Sequence, residues 1–516
     1  MGKLAKMGAR PAKRSPIKTT GPALTFEGGV GAARDAKSEL FVLAASNLVS
    51  ENTFYEGGTE RDHRYRALIH AVAAEDPAWI AGLARYLRAE LNMRSASIVM
   101  AAEYVSAGAP NGRKVIASVL LRPDEPGALL GYWFGTYGRA IPAAIKRGIT
   151  DTLPRLYTER NTIKYDGKGQ TFRFGDVIEL VHPKPSNDHA SILYKHLVDR
   201  THDHVVAIPE DLQMLTLDTI AWGMSPEGRA EIAADPRNAE LWIRDAGMTW
   251  ERYASWVGRP LNAMDWAALV PNMGLMAIVR NLRNMDTTGI SNQTIADISV
   301  KLHDPDEVRR SRQLPFRFYT AWREVRSLQW GLGLEAALNL SLENVPSLDG
   351  RSLIMVDHSG SMSFGTISER SSVHPRELAD VFGAALAVRA ESADLFVYDQ
   401  QAMQVAVGTG DSLLRTIERM PEMGGGTQTL LLLEQLYRPE YDRVIIVTDE
   451  QVHPSGARLD AIKVPIYTFN IGGYRVAHME ATGNRHTFAG LSDSSFTILK
   501  TLEAGRDGHW PWEEKH

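Results

Sequence analysis

From about residue 36 to residue 345, apolar positions recur every three to four residues, as in Leu40, Phe41, Leu43, Ala44 and Leu48, or Ile80, Leu83, Tyr86, Leu87 and Leu91. That is the period of one face of an α-helix. The periodic runs are separated by short breakers: Glu56-Gly57-Gly58, Gly108 to Gly112, Pro123 to Gly127, Ser225-Pro226 and Asp235-Pro236. Strand-like alternation is scarce across the whole stretch. Successive helices with short connections predict a HEAT-like helical-repeat array, whose units of about 40 to 47 residues would number roughly seven here. No sharp internal repeat accompanies the period, so the expectation rests on spacing alone.

Beyond residue 345 the pattern changes. Arg351 to Val356 is a short apolar run ending at Asp357, and Ala393 to Tyr398, Val444 to Thr448 and Val464 to Ile471 are three more runs rich in β-branched and aromatic residues. Helical periods fall between them, over Pro375 to Arg389, Ser412 to Met420 and Leu430 to Tyr437. Strands alternating with helices predict a doubly wound α/β domain with a mainly parallel sheet. Asn344 to Gly350 is the expected boundary. The predicted domains are a basic flexible arm over 1–35, the helical array over 36–345, the α/β domain over 346–503 and a tail over 504–516.

Composition narrows the chemistry. There is no cysteine among the 516 residues, which excludes a disulfide scaffold, a thiolate zinc site and a thiol nucleophile. No apolar stretch reaches the roughly 18 residues of a membrane-spanning helix, and the first 22 residues carry six Lys and Arg without an acid but lack the apolar core of a secretory signal. The expectation is a cytoplasmic protein with no membrane partner. The basic terminus reads either as a solvated arm or as a contact to nucleic acid. The net charge of −5 conceals an uneven distribution: residues 1–200 hold 28 Lys and Arg against 20 Asp and Glu, whereas the remaining residues are acidic. A locally basic region on an acidic whole predicts a confined polyanion footprint.

Two motif sets carry the candidate chemistry. At the end of the first α/β strand stands Val356-Asp357-His358-Ser359-Gly360-Ser361; Gly424-Gly425-Gly426-Thr427-Gln428-Thr429 precedes a helix, and Val447-Thr448-Asp449-Glu450 ends a later strand. Ligands of open α/β sheets sit outside the carboxyl ends of strands, and hard oxygens on tight loops suit Mg²⁺. These segments resemble the metal-ion-dependent adhesion site of von Willebrand factor A domains. The resemblance implies Ser359, Ser361 and Thr427 as direct ligands and Asp357 and Asp449 as charge acting through water, for Mg²⁺ or another divalent cation. Adjacent His358 and Ser359 would suit a hydrolase only with a base and orienting acid in reach, which the sequence does not show; no enzymatic activity is expected.

In the helical part, Gly131 to Ile141 with Ala144 to Ile149, Ile163-Lys164-Tyr165 and Asp176 to Pro185 resemble the TROVE module of Ro autoantigens, telomerase-associated proteins and vault proteins, and Leu275 to Met285 resembles its other recurrent block. A TROVE module followed by a von Willebrand A domain is the order of the Ro family, bacterial homologues included. The chain departs from animal Ro autoantigens in lacking Cys and in a polar insertion, Asp166 to Gln170. On the residues themselves, 137–173 holds eight Lys and Arg against three acids, with Tyr137, Tyr157, Tyr165 and Phe172 interleaved; cations suit phosphates and aromatic faces suit unpaired bases. The candidate RNA-binding residues are Arg139, Lys146, Arg147, Lys164, Lys168, Arg173, His182, Lys184, Arg280 and Arg283, the last two alternatively pairing with acids such as Asp286. Trp133-Phe134 and Leu314-Pro315-Phe316 are expected to pack.

The resemblance implies a helical-repeat ring closed by the von Willebrand A domain. Structured non-coding Y-type RNA would lie on an outer basic surface and single-stranded 3′ ends of misfolded or decaying RNA in a central hole, in RNA quality control beside an exoribonuclease such as polynucleotide phosphorylase. A ring made by one chain predicts a monomer. The rival reading is a metal-dependent protein-interaction or adhesion module on a helical scaffold. A metal-dependent ribonuclease is disfavoured, because the site lacks the acidic cluster of two-metal nucleases.

Overall fold

The computed structural model describes residues 15–46, 56–204, 207–313, 315–325, 327–343, 345–366, 373–408, 411–490, 493–504 and 508–513. The chain divides into two compact units, one of Met1–Ala96, Leu314–Phe316 and Leu342–His516, the other of Ser97–Gln313 and Arg317–Ser341.

The second unit is built of helices. Its neighbours pack in pairs, Gly112–Val119 on Ala143–Thr150, Phe174–Val181 on Asp188–Thr201, Pro236–Asp245 on Ala263–Leu269 and Asn292–His303 on Gly331–Ser341. Leu129, Leu130, Ile145, Ile149, Val177, Leu197, Ile278 and Leu282 are fully sequestered between them. The breakers of the sequence are helix starts. Ser225 accepts a hydrogen bond from Gly228 N and Asp235 from Arg237 N, and in each case the proline that follows takes the first helical turn, where its missing N–H costs nothing. Among the described residues no helix is long and apolar enough to cross a membrane.

Among the described residues, the first unit holds nine strands: β1 (Thr19–Leu24), β2 (Val30–Arg34), β3 (Leu348–Asp357), β4 (Ala390–Tyr398), β5 (Ala402–Val405), β6 (Arg443–Thr448), β7 (Ile466–Asn470), β8 (Val476–Ala477) and β9 (Arg485–Ala489). Six form one sheet in the order β5-β4-β3-β6-β7-β9, parallel except for β5 at the edge. All six residues of β6 are buried, as expected of a central strand covered on both faces. From β3 the chain moves outward to β4 and then returns to β6 on the other side. This reversal puts a crevice at the carboxyl ends of β3 and β6, where the metal motifs stand. The helix Pro375–Arg389 packs on β3, β4 and β6, with the bounds that its period predicted.

Three expectations change here. Residues 1–14 of the predicted arm lie outside the described residues, but the rest of it is not a free arm: β1 and β2 form a hairpin, and β2 pairs antiparallel with β8. Arg34 and Glu450 form a fully buried ion pair, and Arg34 Nη1 donates to Tyr474 O at 2.9 Å. The helices before residue 97 group with the α/β domain rather than with the array, because helix Ala36–Ser46 packs on β9 and Arg61 and Arg64 donate to the carbonyls of Gly472 and Gly473 at 3.3 and 3.2 Å. Part of the tail is packed as well. Trp510 and Trp512 stack on each other at 5.4 Å and contact Phe41 and Trp79 at 5.1 to 5.8 Å. A side chain at Gly82 would meet Trp512 at 2.1 Å.

Candidate functional site

The parallel register that sets Val356 beside Val447 brings Asp357 level with Thr448. Asp357 is fully buried; one carboxylate oxygen accepts from Ser359 N at 2.9 Å and the other from the Thr448 hydroxyl at 2.6 Å. The Ser359 and Ser361 hydroxyls lie 3.2 Å apart, and Ser361 is hydrogen-bonded to Asp449. Gly360 N donates to Gly425 O at 3.0 Å, and His453 N donates to Thr427 O at 2.9 Å, so the three loops are joined by main-chain bonds. After Asp449 the backbone turns through a left-handed residue, Glu450 at φ 64°. A side chain there is strained, and it is held by its own N–H on the Thr448 hydroxyl at 3.0 Å and by the Arg34 pair. The five expected metal residues therefore stand on three adjoining loops, at most 8% exposed.

Electrostatics distinguishes this cluster from an ordinary strand-end turn. Burial, and then the neighbouring charge of Asp357, push the Asp449 carboxyl up to about 8. Asp357 is also raised, by burial, against the opposing hydrogen bonds of Ser359 and Thr448. Two carboxylates buried beside hydroxyls are uncomfortable without positive charge, and a divalent cation relieves both. The donor set therefore fits Mg²⁺, with hydroxyls and carboxylates as hard oxygen ligands. Among the described residues no group of three or more His, Asp or Glu side chains gathers as a metal cluster. His358 points elsewhere: its ring nitrogens face Pro421 O at 2.9 Å and Asp380 Oδ1 at 2.6 Å, so it is no base for Ser359. Thr448 and Asp399 were missed by sequence reasoning. Thr448 stood inside the quoted motif, whereas Asp399 follows an apolar strand with nothing local to mark it.

The cationic set lies on the helical unit and divides by environment. Arg139, Arg147, Lys164, His182, Lys184 and Arg280 are exposed, and Lys146 is half-buried. His182 caps helix Phe174–Val181 in a left-handed conformation at φ 51°. Lys168 pairs with Asp203 at 2.9 Å, both exposed, and Arg283 with Glu324 at 3.0 Å, not with Asp286, which instead accepts from Ser327 N and Trp330 Nε1. Such exposed pairs contribute little to stability and exchange readily for phosphate. Arg173 is a correction. It is buried, bonded to Asp166 at 3.2 Å and to Arg200 O at 3.0 Å, and so belongs to the packing of the polar insertion rather than to a surface. Arg122, passed over in the sequence, lies 5.5 Å from the Tyr165 ring, with Lys164 at 5.1 Å from the same ring.

The interleaved aromatics are also reassigned. Tyr157 is buried and stacked on Phe174 at 4.0 Å, and Phe172 meets Phe134 edge-on at 5.2 Å. Both serve the core. Tyr137 is 37% exposed, with its hydroxyl donating to Glu103 at 2.6 Å. Trp133 and Phe316 are buried, as expected of packing elements, while Leu314 lies outside the described residues.

A TROVE domain model matches residues 245–339, which takes in the Leu275 to Met285 block and leaves out the one over 131–185. The RNA-binding protein RO60 of Deinococcus radiodurans is 26% identical over 219 residues, covering 37% of this chain and 41% of that protein. The chain thus aligns with less than half the length of this relative. The crystal structure of the Deinococcus radiodurans RO (RSR) protein shares the fold, with a TM-score of 0.60 at 15% identity, over 91% of this chain and 100% of that one. The chain thus carries a match to the TROVE domain in its helical unit, has a Ro protein among its sequence relatives and shares the fold of a Ro protein over 91% of its length.

Proposed function

We propose that this protein binds RNA through the exposed cations of its helical unit and performs no chemistry on it. The observation that carries the reading is the set Arg139, Arg147, Lys164, His182 and Lys184, exposed along one stretch of a chain that matches the TROVE domain and whose net charge is negative. Phosphate contacts would supply most of the affinity. Helical arrays present extended surfaces, which suits structured non-coding RNA of the Y type, with single-stranded 3′ ends of misfolded or decaying RNA as the second class of ligand. The role that follows is RNA quality control in the cytoplasm, by a monomer that hands RNA to an exoribonuclease such as polynucleotide phosphorylase. The name of the relative RO60, an RNA-binding protein, supports the RNA-binding reading.

The α/β domain has a separate task in this proposal. Ser359, Ser361 and Thr427 would hold Mg²⁺ with Asp357 and Asp449 supplying charge, and the ion when bound adds a fixed positive centre at the sheet crevice. The buried, mutually bonded hydroxyls and carboxylates support this assignment. The test of RNA binding is a mobility shift with a structured non-coding RNA at about 0.1 M salt, together with sequencing of RNA that co-purifies from the native host. A retarded complex and enriched structured RNA are expected; no shift and no co-purifying RNA would remove the reading.

A further inference from the structure

The Gly424 to Thr429 loop carries Thr427 into the metal centre, yet no regular element fixes that part of it. Besides the His453 N–H on Thr427 O, it is anchored on both sides of Thr427 by one residue, Asp399, directly after β4. The Asp399 carboxylate accepts from Gly425 N at 2.8 Å and Gly424 N at 3.4 Å, while its main-chain oxygen accepts from Gln428 N at 3.0 Å. The same carboxylate accepts from Gln401 N at 2.9 Å, which sets its own orientation. Thr427 is therefore bracketed by two anchors on a single residue, one two positions before it and one directly after. The fit is close: a Cβ at Gly425 would stand 2.7 Å from Asp399 Oδ2, and one at Gly426 would stand 2.3 Å from His453 Nε2. Gly425 O in turn accepts from Gly360 N, so the position of the glycine loop is passed on to the loop of Ser359 and Ser361.

We infer that Asp399 is a positioning residue for the metal centre, acting on Thr427 and on the serine loop through the glycine main chain and not as a ligand itself. The inference rests on the proposed Mg²⁺ site. Residues that orient metal ligands from behind typically account for about 10- to 100-fold in metal affinity. Asp399→Ala removes the carboxylate anchor and leaves the main-chain one, whereas Asp399→Asn keeps an acceptor oxygen. Gly425→Ala leaves Asp399 in place and pushes the loop off it.

The experiment is Mn²⁺ binding to the full chain, followed by isothermal titration and by the electron paramagnetic resonance spectrum of the bound ion, with the melting temperature recorded in EDTA. Asp399→Ala and Gly425→Ala are expected to weaken Mn²⁺ by about tenfold or more and to broaden the bound-ion spectrum. Asp399→Asn should recover most of the affinity, with EDTA melting temperatures near that of the parent. If the parent binds Mn²⁺ and Asp399→Ala binds it equally well with an unchanged spectrum, the positioning role is wrong and the metal site stands. A parent chain that takes up no Mn²⁺ overturns the metal site, and the role of Asp399 with it. Should Asp399→Ala fail to fold, Gly425→Ala decides the matter by the same readouts.

Discussion

At the carboxyl end of the sheet, a few side chains are buried and bonded to one another; on the helical unit, the cations stand in water, spread over several helices and the loops beside them. Asp357, Ser359, Ser361 and Asp449 are connected by direct hydrogen bonds, so moving one disturbs the rest. Arg139, Arg147, Lys164, Lys184 and Arg280 are exposed to solvent. The difference teaches what each site is suited to bind: a small ion demands convergence, while a long polyanion is met by many contacts of modest individual worth.

That contrast breaks first where the two kinds of environment were confused. Arg173 carries the charge of an RNA contact but the setting of a buried pair, and Arg173→Ala leaves Asp166 with the Phe174 N–H at 2.9 Å and Arg200 at 3.5 Å but without its closer cation. A loss of about 1–3 kcal/mol in denaturant stability is expected, against less than about 0.5 kcal/mol for Arg147→Ala on the exposed face. A stable Arg173→Ala chain that loses RNA affinity would return Arg173 to the surface set.

Asp357→Ala tests the independence of the two regions. Elemental analysis is expected to find no bound divalent metal in the variant while RNA affinity stays within about twofold of the parent, since phosphate contacts on the helices do not involve the sheet crevice. Metal content equal to that of the parent would contradict the site assignment.

A smaller effect concerns pH. His478 is fully buried near Arg34, Glu450 and Arg485, and burial lowers it from the ordinary 6.5 to about 4. Its hydrogen bond is with the Thr468 hydroxyl at 3.2 Å. Because the folded value lies below the unfolded one, the unfolded chain binds more protons between pH 6.5 and 4. Stability is thus undiminished above about 6.5 and falls as pH drops toward 4, by at most about 3 kcal/mol from this group. Urea titrations at pH 7 and pH 5 should show the loss, and His478→Gln should flatten it.

The sequence made the sheet crevice legible almost to the residue because its chemistry is compressed into strand ends: one apolar run stopping at Asp357 and another stopping just before Asp449 place two loops side by side. Asp399 escaped because its role is spoken through main-chain N–H groups, which leave no mark in side-chain spelling. The hairpin β1–β2 escaped for a similar reason. Thr19 to Arg34 is short and rich in Gly and Ala, and the third strand of its sheet, β8, lies more than 440 residues away, a contact that local periodicity does not encode. On the helical unit the elements were legible and the surface was not. Charge can be counted from sequence, but whether Arg173 faces water or Asp166 depends on how the polar insertion folds back on its neighbours.

The central claim is that exposed helical cations bind RNA phosphates, and the slope of log affinity against log salt tests it most directly, measured for the parent and for a chain with Arg147, Lys164 and Lys184 replaced by Ala. Each lost phosphate contact should reduce the slope by about 0.7 to 0.9, so the triple variant is expected to bind more weakly and with a slope flatter by about two to three. Equal slopes and equal affinities for the two chains would contradict the account.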